Sequence, residues 1–418
     1  PAPRLGEHNG AIVPRERPAV ADPAAPADQL PLAGVRILDA TGWWAGPLAT
    51  QTLAGLGADV IHLESVQRLD GARTVIAVAA GEQWWEKGHL FNGTNTNKRS
   101  LTLDLNQPRG LALMKSLIAE CDIVVENFSP RVFEHFGLDA DSVRKLNPDA
   151  VFARLPAFGL DGPWRDRVGF AQTMEQMSGL AWLTGHVEDQ CRIQRGPCDP
   201  LAGMHAAFAM LVGLFQRDTS GKGAFLECTM VEAALNAAAE QVVEYSAYGR
   251  LLEREGNRSP YCAPQGLYAC EGEDNWLALS IASDAQWQAL VDVMDRPAWA
   301  MDPRFATHAG RRAAHDDIDR ELTSWAERFE LHGLVDSLLA SGVPAAALLD
   351  SQSAFKHPQM AARGFFETVD HPVAGSHLMP GLPFRFASRD GRPWLHQPAP
   401  TLGQHNREVL SELLGLGG

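Results

Sequence analysis

The chain has 418 residues, enough for two or three domains of ordinary size. Apolar residues make up 45% and charged residues 21%, a mix that excludes a largely disordered chain and supports a large core. The 36 lysines and arginines against 51 aspartates and glutamates give a formal net charge of −15. This acidity excludes a general binder of nucleic acid or of anionic membranes, so an anionic ligand must be held by a local pocket.

The sequence indicates neither a metal site nor a membrane span. The six cysteines form no C-x-x-C pair, and no histidine stands at zinc-finger spacing, which predicts reduced thiols and no bound metal. No apolar run approaches the roughly 20 residues that a membrane helix needs. We therefore expect a cytoplasmic protein with no nucleic acid and no membrane among its partners.

A nine-residue string occurs twice in the chain. Residues 1–9 read PAPRLGEHN and residues 398–406 read PAPTLGQHN, with seven positions identical. Chance recurrence is the alternative to a true repeat. The second copy closes a domain, whereas the first follows none. We therefore expect residues 1–9 to be the tail of a preceding copy, residues 1–30 to be a linker, and this chain to be the C-terminal copy of a tandem protein.

Apolar runs alternate with helical patterns after residue 31. Strands are predicted at 35–39, 59–64, 123–126 and 151–155, with helices between them. This alternation predicts an α/β fold, in which a parallel sheet has helices on both faces and binds its ligands at the carboxyl ends of the strands. Residues 203–215 and 230–245 are apolar and alanine-rich, which predicts buried helices.

The composition changes near residue 260 and predicts a second, smaller domain. A hairpin and several helices are expected there, and a strand at 380–386 and a helix at 406–414 are expected to close the chain. We expect residues 31–225 and 345–418 to form the large domain. Residues 226–344 are expected to form the small domain with its connecting helices.

The order of the motifs resembles the class III CoA-transferase family, which contains formyl-CoA and carnitine CoA-transferases and the α-methylacyl-CoA racemases. The motifs are PLAGVRILDATGWWAGPLATQTLAGLGADVIHLE, NTNKRSLTLDLNQPRG, DIVVENFSP, FGLDGP, SGLAWLTG, CDPLAGMHAAFA and PAPTLGQHNREVLSELLG. The resemblance implies a Rossmann-like large domain, a smaller α+β domain and two subunits interlocked like chain links. It further implies that CoA moves between an acyl-CoA and a small carboxylic acid, at sites between two copies of the domain and without a metal.

The resemblance implies a carboxylate nucleophile after a Thr-Gly motif. Here Thr184 and Gly185 are followed by Glu188 and Asp189, where the family has Asp and Gly. The chemistry needs a carboxylate because that group attacks the thioester, becomes an enzyme-bound thioester and passes its CoA to a second acid. We expect Glu188 to be the nucleophile and Asp189 to replace it if the loop slips by one residue. A solvated acidic turn is the alternative.

The resemblance also implies that CoA lies along the strand ends of the large domain. The matching positions are Trp43, Trp44, Lys98, Arg99, Leu103, Asp104, Asn106, Asn127 and Phe128. Ser65 stands where the family has an arginine that helps to hold the nucleotide. Lys98, Arg99 and Arg73 are therefore the expected phosphate partners, whereas Arg131 is expected to be an ordinary surface charge.

Two other functions stay open. A racemase of this family needs a histidine after the glycine of a Gly-His-Asp motif, and Phe170 stands at that position. Asp199, the second racemase residue, is present but is also expected to cap the helix that follows it. The altered nucleophile position and Ser65 favour a catalytically degenerate half that supports an active partner copy.

Overall fold

The computed structural model describes residues 2–11, 13, 29–75, 81–389 and 391–416. Residues 2–11 consist mainly of exposed turns, and residues 14–28 of the predicted linker lie outside the described residues. Six strands form the central sheet, namely β1 (Arg36–Ala40), β2 (Asp59–Glu64), β3 (Lys98–Thr102), β4 (Ile123–Glu126), β5 (Val151–Arg154) and β6 (Phe225–Glu227).

The central sheet is parallel throughout, with the strand order β3-β2-β1-β4-β5-β6. This is the order of a Rossmann-like sheet, and it reverses between β1 and β4, where a ligand crevice forms at the carboxyl ends. The α/β fold class and the four predicted strands are confirmed. The sequence pattern misses β3 and β6, because β3 carries two basic residues and β6 has only three residues.

Helices cover both faces of this sheet. The helices of this part of the chain are α1 (Ala45–Gly55), α2 (Gly71–Thr74), α3 (His89–Thr94), α4 (Pro108–Ala119), α5 (Pro130–His135), α6 (Ala140–Leu146), α7 (Ala171–Met177), α8 (Leu180–Leu183), α9 (Cys198–Ser220), α10 (Met230–Ala237) and α11 (Ala239–Tyr248). One face packs on α1 and α9 and the other on α4, α5 and α6. Alternate strand residues serve the two faces, as Ile37 and Leu38 do in β1.

Helix α9 is apolar on two opposite sides. Residues such as Met210 pack on the sheet, whereas Phe208 is 68% exposed and Phe215 is 72% exposed. Helix α11 has no buried residue at all. The prediction of buried helices is therefore wrong for the outer side of α9 and for α11, because nothing among the described residues covers them. An exposed apolar side of this size marks a contact surface.

Helix α9 is also long and apolar enough to cross a membrane by length and composition alone, which the sequence analysis did not anticipate. Of its most apolar stretch, 44% is buried within the fold. It packs on α1 and α10 as well as on the sheet. Core helices of globular folds share this composition.

A second core lies between residues 268 and 343. Its elements are β7 (Gln265–Ala269), β8 (Trp276–Ser280), β9 (Ala345–Ala347), α12 (Asp284–Val293), α13 (His308–Ala313), α14 (His315–Ala326) and α15 (Leu331–Ala340). The predicted hairpin is β7–β8. Two predicted domain boundaries differ from the strand pairing. The large sheet extends past the predicted boundary at residue 225, because β6 continues it to residue 227. The small sheet extends past the predicted boundary at residue 345, because β9 pairs with β8.

The last part of the chain contains a separate pair of antiparallel strands and a closing helix that packs on the large sheet. Its elements are α16 (Ser351–Lys356), α17 (Pro358–Arg363), β10 (Phe366–His371), β11 (Gly375–Pro380) and α18 (Asn406–Leu414). The predicted strand at 380–386 is wrong, because β11 ends at Pro380 and the residues after it pair with no strand in the described part. The predicted helix at 406–414 is α18, which packs on the sheet through Val409.

Candidate functional site at the strand ends

A cavity of about 420 Å³ opens at the carboxyl ends of β1, β2, β3 and β4. Six of the nine residues expected to contact CoA line it together: Trp43, Leu103, Asp104, Asn106, Asn127 and Phe128. They come from loops that follow three different strands, and the strand order of the sheet brings those loops to one edge. Aromatic and aliphatic side chains supply most of the wall.

Asn127 joins the two loops at the centre of the cavity. The backbone N–H of Gly42 donates to Asn127 Oδ1 at 2.8 Å, and Asn127 Nδ2 donates to the carbonyl oxygen of Gly42 at 2.8 Å. The side chain therefore fixes the loop after β1 against the loop after β4. Phe128, the next residue, stacks on Phe133 with ring centroids 6.2 Å apart and remains 41% exposed to the cavity.

Trp43 is held in an unusual backbone conformation at the cavity mouth. Its φ of +67° lies in the left-handed region, which costs about 1 kcal/mol or more for a residue other than glycine. Its N–H donates to Asp70 Oδ1 at 2.8 Å, and its indole lies against Gly71. A Cβ on Gly71 would be 2.2 Å from that ring, so only glycine admits the indole in this position. The ring meets Phe170 edge to face at 5.5 Å.

Three of the expected CoA residues lie outside this cavity, and burial excludes one of them, Lys98, as a phosphate partner. Lys98 is completely buried, because its ammonium binds Asp39 at 3.0 Å and the carbonyl oxygen of Pro47 at 2.9 Å. Arg99 is bound by Asp59, at the amino end of β2, and by carboxylates of α18. Trp44 packs on Gly196 and is absent from the described lining of the cavity.

The ammonium of Lys98 completes a buried polar cluster beneath the cavity. Asp39 binds both Lys98 and His62, whose Nδ1 is 3.1 Å away. Burial alone would raise the pKa of Asp39, but Lys98 and His62 outweigh it and hold this pKa well below its usual range. Burial lowers the pKa of Lys98, and Asp39 opposes that change. The cluster thus places charged side chains within the otherwise apolar interior of the sheet.

Arg73 is likewise unavailable to a ligand. It is fully buried between Glu64 and Glu86, at 2.8 Å and 2.6 Å. Burial would raise the pKa of Glu64, and the hydrogen bonds from Arg73 reverse the effect and lower it. The expected role of Arg73 as a phosphate partner is therefore wrong, because both carboxylates already occupy its guanidinium. Arg131 lies on the surface and pairs with Asp166, as expected.

Arg68 is a cavity residue that the sequence analysis missed. It is the only basic residue among the described residues that line the cavity, and no carboxylate of the described chain lies within ion-pair distance of it. A tight turn pairs Arg68 with Ser65 in an antiparallel bridge, and the Arg68 N–H donates to the Ser65 carbonyl oxygen at 3.3 Å. The turn therefore places this cation beside Ser65. The sequence alone does not predict this position of Arg68, because it depends on the geometry of the turn.

Glu188 lies at a different cavity, and Asp189 is the next residue along the chain. This second cavity, of about 660 Å³, is lined by Glu188 together with Arg258, Arg312 and other polar residues of the smaller unit. It shares no lining residue with the strand-end cavity, so within this chain Glu188 lies apart from Asn127 and Phe128. The backbone N–H of Gln190 and, after it, the paired guanidinium of Arg192 lower the pKa of Asp189. No hydrogen bond or ion pair holds Glu188 within the described chain.

A second pair of carboxyl groups lies between α7 and α9. Glu175 is fully buried, and its Oε1 accepts from the N–H of Gly196 at 2.8 Å and more weakly from Cys198. Glu175, and not Asp199 as expected, therefore caps the start of α9. Burial, with a further contribution from the charge of Glu175, raises the pKa of Asp199 to about 7. Asp199 thus gains or loses a proton near neutral pH.

The parallel sheet, its strand order and the crevice at its strand ends define an α/β protein of the nucleotide-binding type. The sequence matches the family model for CoA-transferase family III over residues 32–406. The chain therefore belongs to the class III CoA-transferase family.

Individual relatives match along most of the chain. It is 33% identical over 395 residues to a succinyl-CoA–D-citramalate CoA-transferase of Chloroflexus aurantiacus, covering 92% of this chain and 94% of that one. It is 30% identical over 393 residues to the beta subunit of a succinyl-CoA–L-malate CoA-transferase of the same organism, covering 93% and 95%. A crystal structure of a CaiB/BaiF family protein from Brucella suis matches with a TM-score of 0.84 and 29% identity, covering 92% of this chain and 100% of that one.

Proposed function

We propose that the protein transfers CoA between a CoA thioester and a small carboxylic acid. The convergence of six expected CoA residues on one cavity at the strand ends carries this proposal. The names of two relatives combine succinyl-CoA with citramalate or malate, which are hydroxy-dicarboxylic acids. We therefore infer succinyl-CoA as the donor and a hydroxy-dicarboxylic acid as the acceptor.

The strand-end cavity supports binding of the nucleotide end of CoA. The exposed faces of Trp43 and Phe128 provide the aromatic surfaces on which a base stacks. Arg68 supplies the positive charge for a phosphate group, since no carboxylate of the described residues would have to be displaced from its guanidinium. This local charge is needed because the protein as a whole is acidic.

Glu188 is the proposed nucleophile. One of its carboxylate oxygens attacks the thioester carbonyl, the C–S bond breaks, and the CoA thiolate leaves a mixed anhydride behind. The thiolate then attacks the Glu188 carbonyl carbon of that anhydride, which releases the donor acid and forms the Glu188–CoA thioester. The acceptor carboxylate repeats the sequence in reverse. Arg258 and Arg312 line the same cavity and suit the second carboxylate of a diacid.

A second copy of the domain is part of this proposal. The two cavities share no lining residue. We therefore infer that Glu188 receives the thioester of a CoA molecule bound at the strand-end cavity of the second copy. The outer side of α9 offers an apolar surface for a partner copy. We further propose that the protein is cytoplasmic and acts without a metal; its six cysteines are free thiols, which are typical of a reducing compartment.

Peptide mapping tests the proposal. The protein is incubated with succinyl-CoA, treated with hydroxylamine and digested, and mass spectrometry locates the modified carboxyl group. We expect the label at Glu188, no label in Glu188→Gln, and a normal label in the matched control Asp189→Asn. A label at Asp189 or Asp199 would move the nucleophile to that residue.

The same experiment addresses the second candidate function. The separation of the two cavities favours a catalytically degenerate half that supports an active partner copy. In that case the protein binds CoA with micromolar affinity but acquires no label at any carboxyl group. Absence of both binding and labelling would reject CoA transfer and the supporting role together.

A further inference from the structure

The repeated string has a definite structural role in its second copy. Strand β3 lies at the edge of the sheet, and residues 403–406 hydrogen-bond along that edge. Ser100 and His405 exchange two hydrogen bonds of 3.0 Å, from the Ser100 N–H to His405 Nδ1 and from the His405 N–H to the Ser100 carbonyl oxygen. The N–H of Thr102 donates to Asn406 Oδ1 at 2.8 Å. The segment therefore satisfies the edge strand, which would otherwise be open to pairing.

The first copy folds in the same way without that edge. In the second copy the Thr401 N–H donates to Gln404 Oε1 at 2.9 Å, and the Gln404 N–H donates back to the Thr401 carbonyl oxygen at 3.1 Å. In the first copy the Arg4 N–H donates to Glu7 Oε2 at 2.6 Å, and the Glu7 N–H donates back to the Arg4 carbonyl oxygen at 3.0 Å. The two positions at which the copies differ, 4 against 401 and 7 against 404, therefore form the same hydrogen-bonded turn in both copies.

The glycine of the string behaves identically in both copies. Gly6 has φ +74° and Gly403 has φ +69°, both in the left-handed region that favours glycine. Each carbonyl oxygen accepts the N–H of the asparagine three residues later, at 3.0 Å for Asn9 and 3.1 Å for Asn406. The same backbone therefore presents the histidine and asparagine side chains that bind β3 in the second copy.

In the first copy those side chains bind nothing in the part of the chain that the structure describes. Leu5 is fully exposed, and residues 2–11 are exposed throughout. The side chains of His8 and Asn9 make no hydrogen bond with the described part of the chain. The edge of β3 in this chain is already taken by its own residues 403–406. The matching surface for the first copy must therefore lie on another domain.

We propose that residues 2–9 are a docking segment that binds the edge of the β3 strand of a second CoA-transferase domain. His8 and Asn9 take the roles of His405 and Asn406, and Leu5 takes the position of Leu402. The interaction links two domains of the same family through an edge strand and is independent of the chemistry at either cavity.

A two-residue replacement tests whether the first string fits the edge. Thr401→Arg with Gln404→Glu converts the second string into the first at residues 401–406. We expect the Tm to stay within about 2 °C of the original, whereas His405→Ala with Asn406→Ala lowers it by about 3 °C or more. A loss in the converted chain as large as that in the alanine variant would overturn the proposal.

Peptide binding tests the same surface directly. A fluorescent peptide of residues 1–11 is titrated into the His405→Ala/Asn406→Ala chain, whose β3 edge is weakened, and fluorescence anisotropy reports binding. We expect saturable binding that is at least about 10-fold weaker for the unaltered chain, and none for a peptide carrying His8→Ala and Asn9→Ala. Equal binding to both chains, or to neither, would contradict the proposal.

Discussion

The carboxylate of Asp39 and the ammonium of Lys98 lie 3.0 Å apart with both side chains fully buried. The pair connects the end of β1 to the start of β3 directly beneath the strand-end cavity. Each charge is costly to bury alone, and the two neutralise each other only in this geometry. The lysine is therefore a structural element of the sheet and leaves phosphate binding to another residue.

Lys98→Met should destabilise the protein by about 3–5 kcal/mol, because Asp39 loses its principal cation while remaining buried. Chemical denaturation measures the change. Asp39→Asn combined with Lys98→Met should recover part of the loss, since no uncompensated charge remains. Arg131→Met, at a surface ion pair, is the control and should change stability by less than about 0.5 kcal/mol. A loss no larger than that of the control would contradict the structural role.

Gly71→Ala should displace Trp43, because the added Cβ would lie 2.2 Å from the indole. We expect CoA affinity measured by calorimetry to fall about 10-fold, with a stability loss of roughly 1–3 kcal/mol. Gly93→Ala is the matched control, since a Cβ there meets nothing within 4 Å. Unchanged CoA affinity in Gly71→Ala would show that Trp43 does not contact the ligand.

Arg68→Ala should weaken CoA binding about 10-fold or more, the effect of losing a hydrogen bond to a charged group. Arg131→Ala should bind CoA normally. Comparison with 3′-dephospho-CoA identifies the phosphate: equal affinity of the original and Arg68→Ala proteins assigns the 3′-phosphate, and a persisting difference assigns the diphosphate. Normal CoA binding by Arg68→Ala would remove this residue from the site, whereas no binding by the original protein would reject the proposed function.

The raised pKa of Asp199 leads us to expect a specific pH dependence of the free energy of unfolding. Its pKa is raised to about 7 in the folded protein, so the folded state holds this proton more tightly than the unfolded state. The contribution to stability is fully present below about pH 4 and is lost as the pH rises through 7. Asp199→Asn should therefore flatten the profile and gain roughly 2–4 kcal/mol relative to the original protein at pH 8. Asp161→Asn, at an exposed position, serves as control, and parallel profiles for Asp199→Asn and the original would refute the prediction.

The outer side of α9 predicts association with a second copy. Phe208→Glu places a charge on this apolar surface and should shift the protein to the monomer in light scattering. Ala112→Glu adds the same charge to the exposed side of α4 and should leave the mass unchanged. A protein that is already monomeric, or a Phe208→Glu protein that still associates, would argue against this interface.

Local sequence pattern determined much of the architecture. The strands β2 and β4 and the closing helix α18 are found at the predicted residues, because the two strands are short continuous buried runs and the apolar residues of α18 recur at helical spacing. The loops after β1 and β4 also follow from the strand alternation, which places Trp43 and Asn127 at one edge of a parallel sheet.

The tertiary structure alone decided which charged groups are available. Lys98, Arg73 and Arg68 are equally cationic in the sequence. The first two are buried against carboxylates from other segments, whereas the third lines the cavity with no ion pair to a described residue. The sequence likewise did not predict that Glu188 lines a cavity together with residues of the small domain. Burial and ion pairing depend on which elements pack together, and that information lies in contacts between residues far apart in the chain.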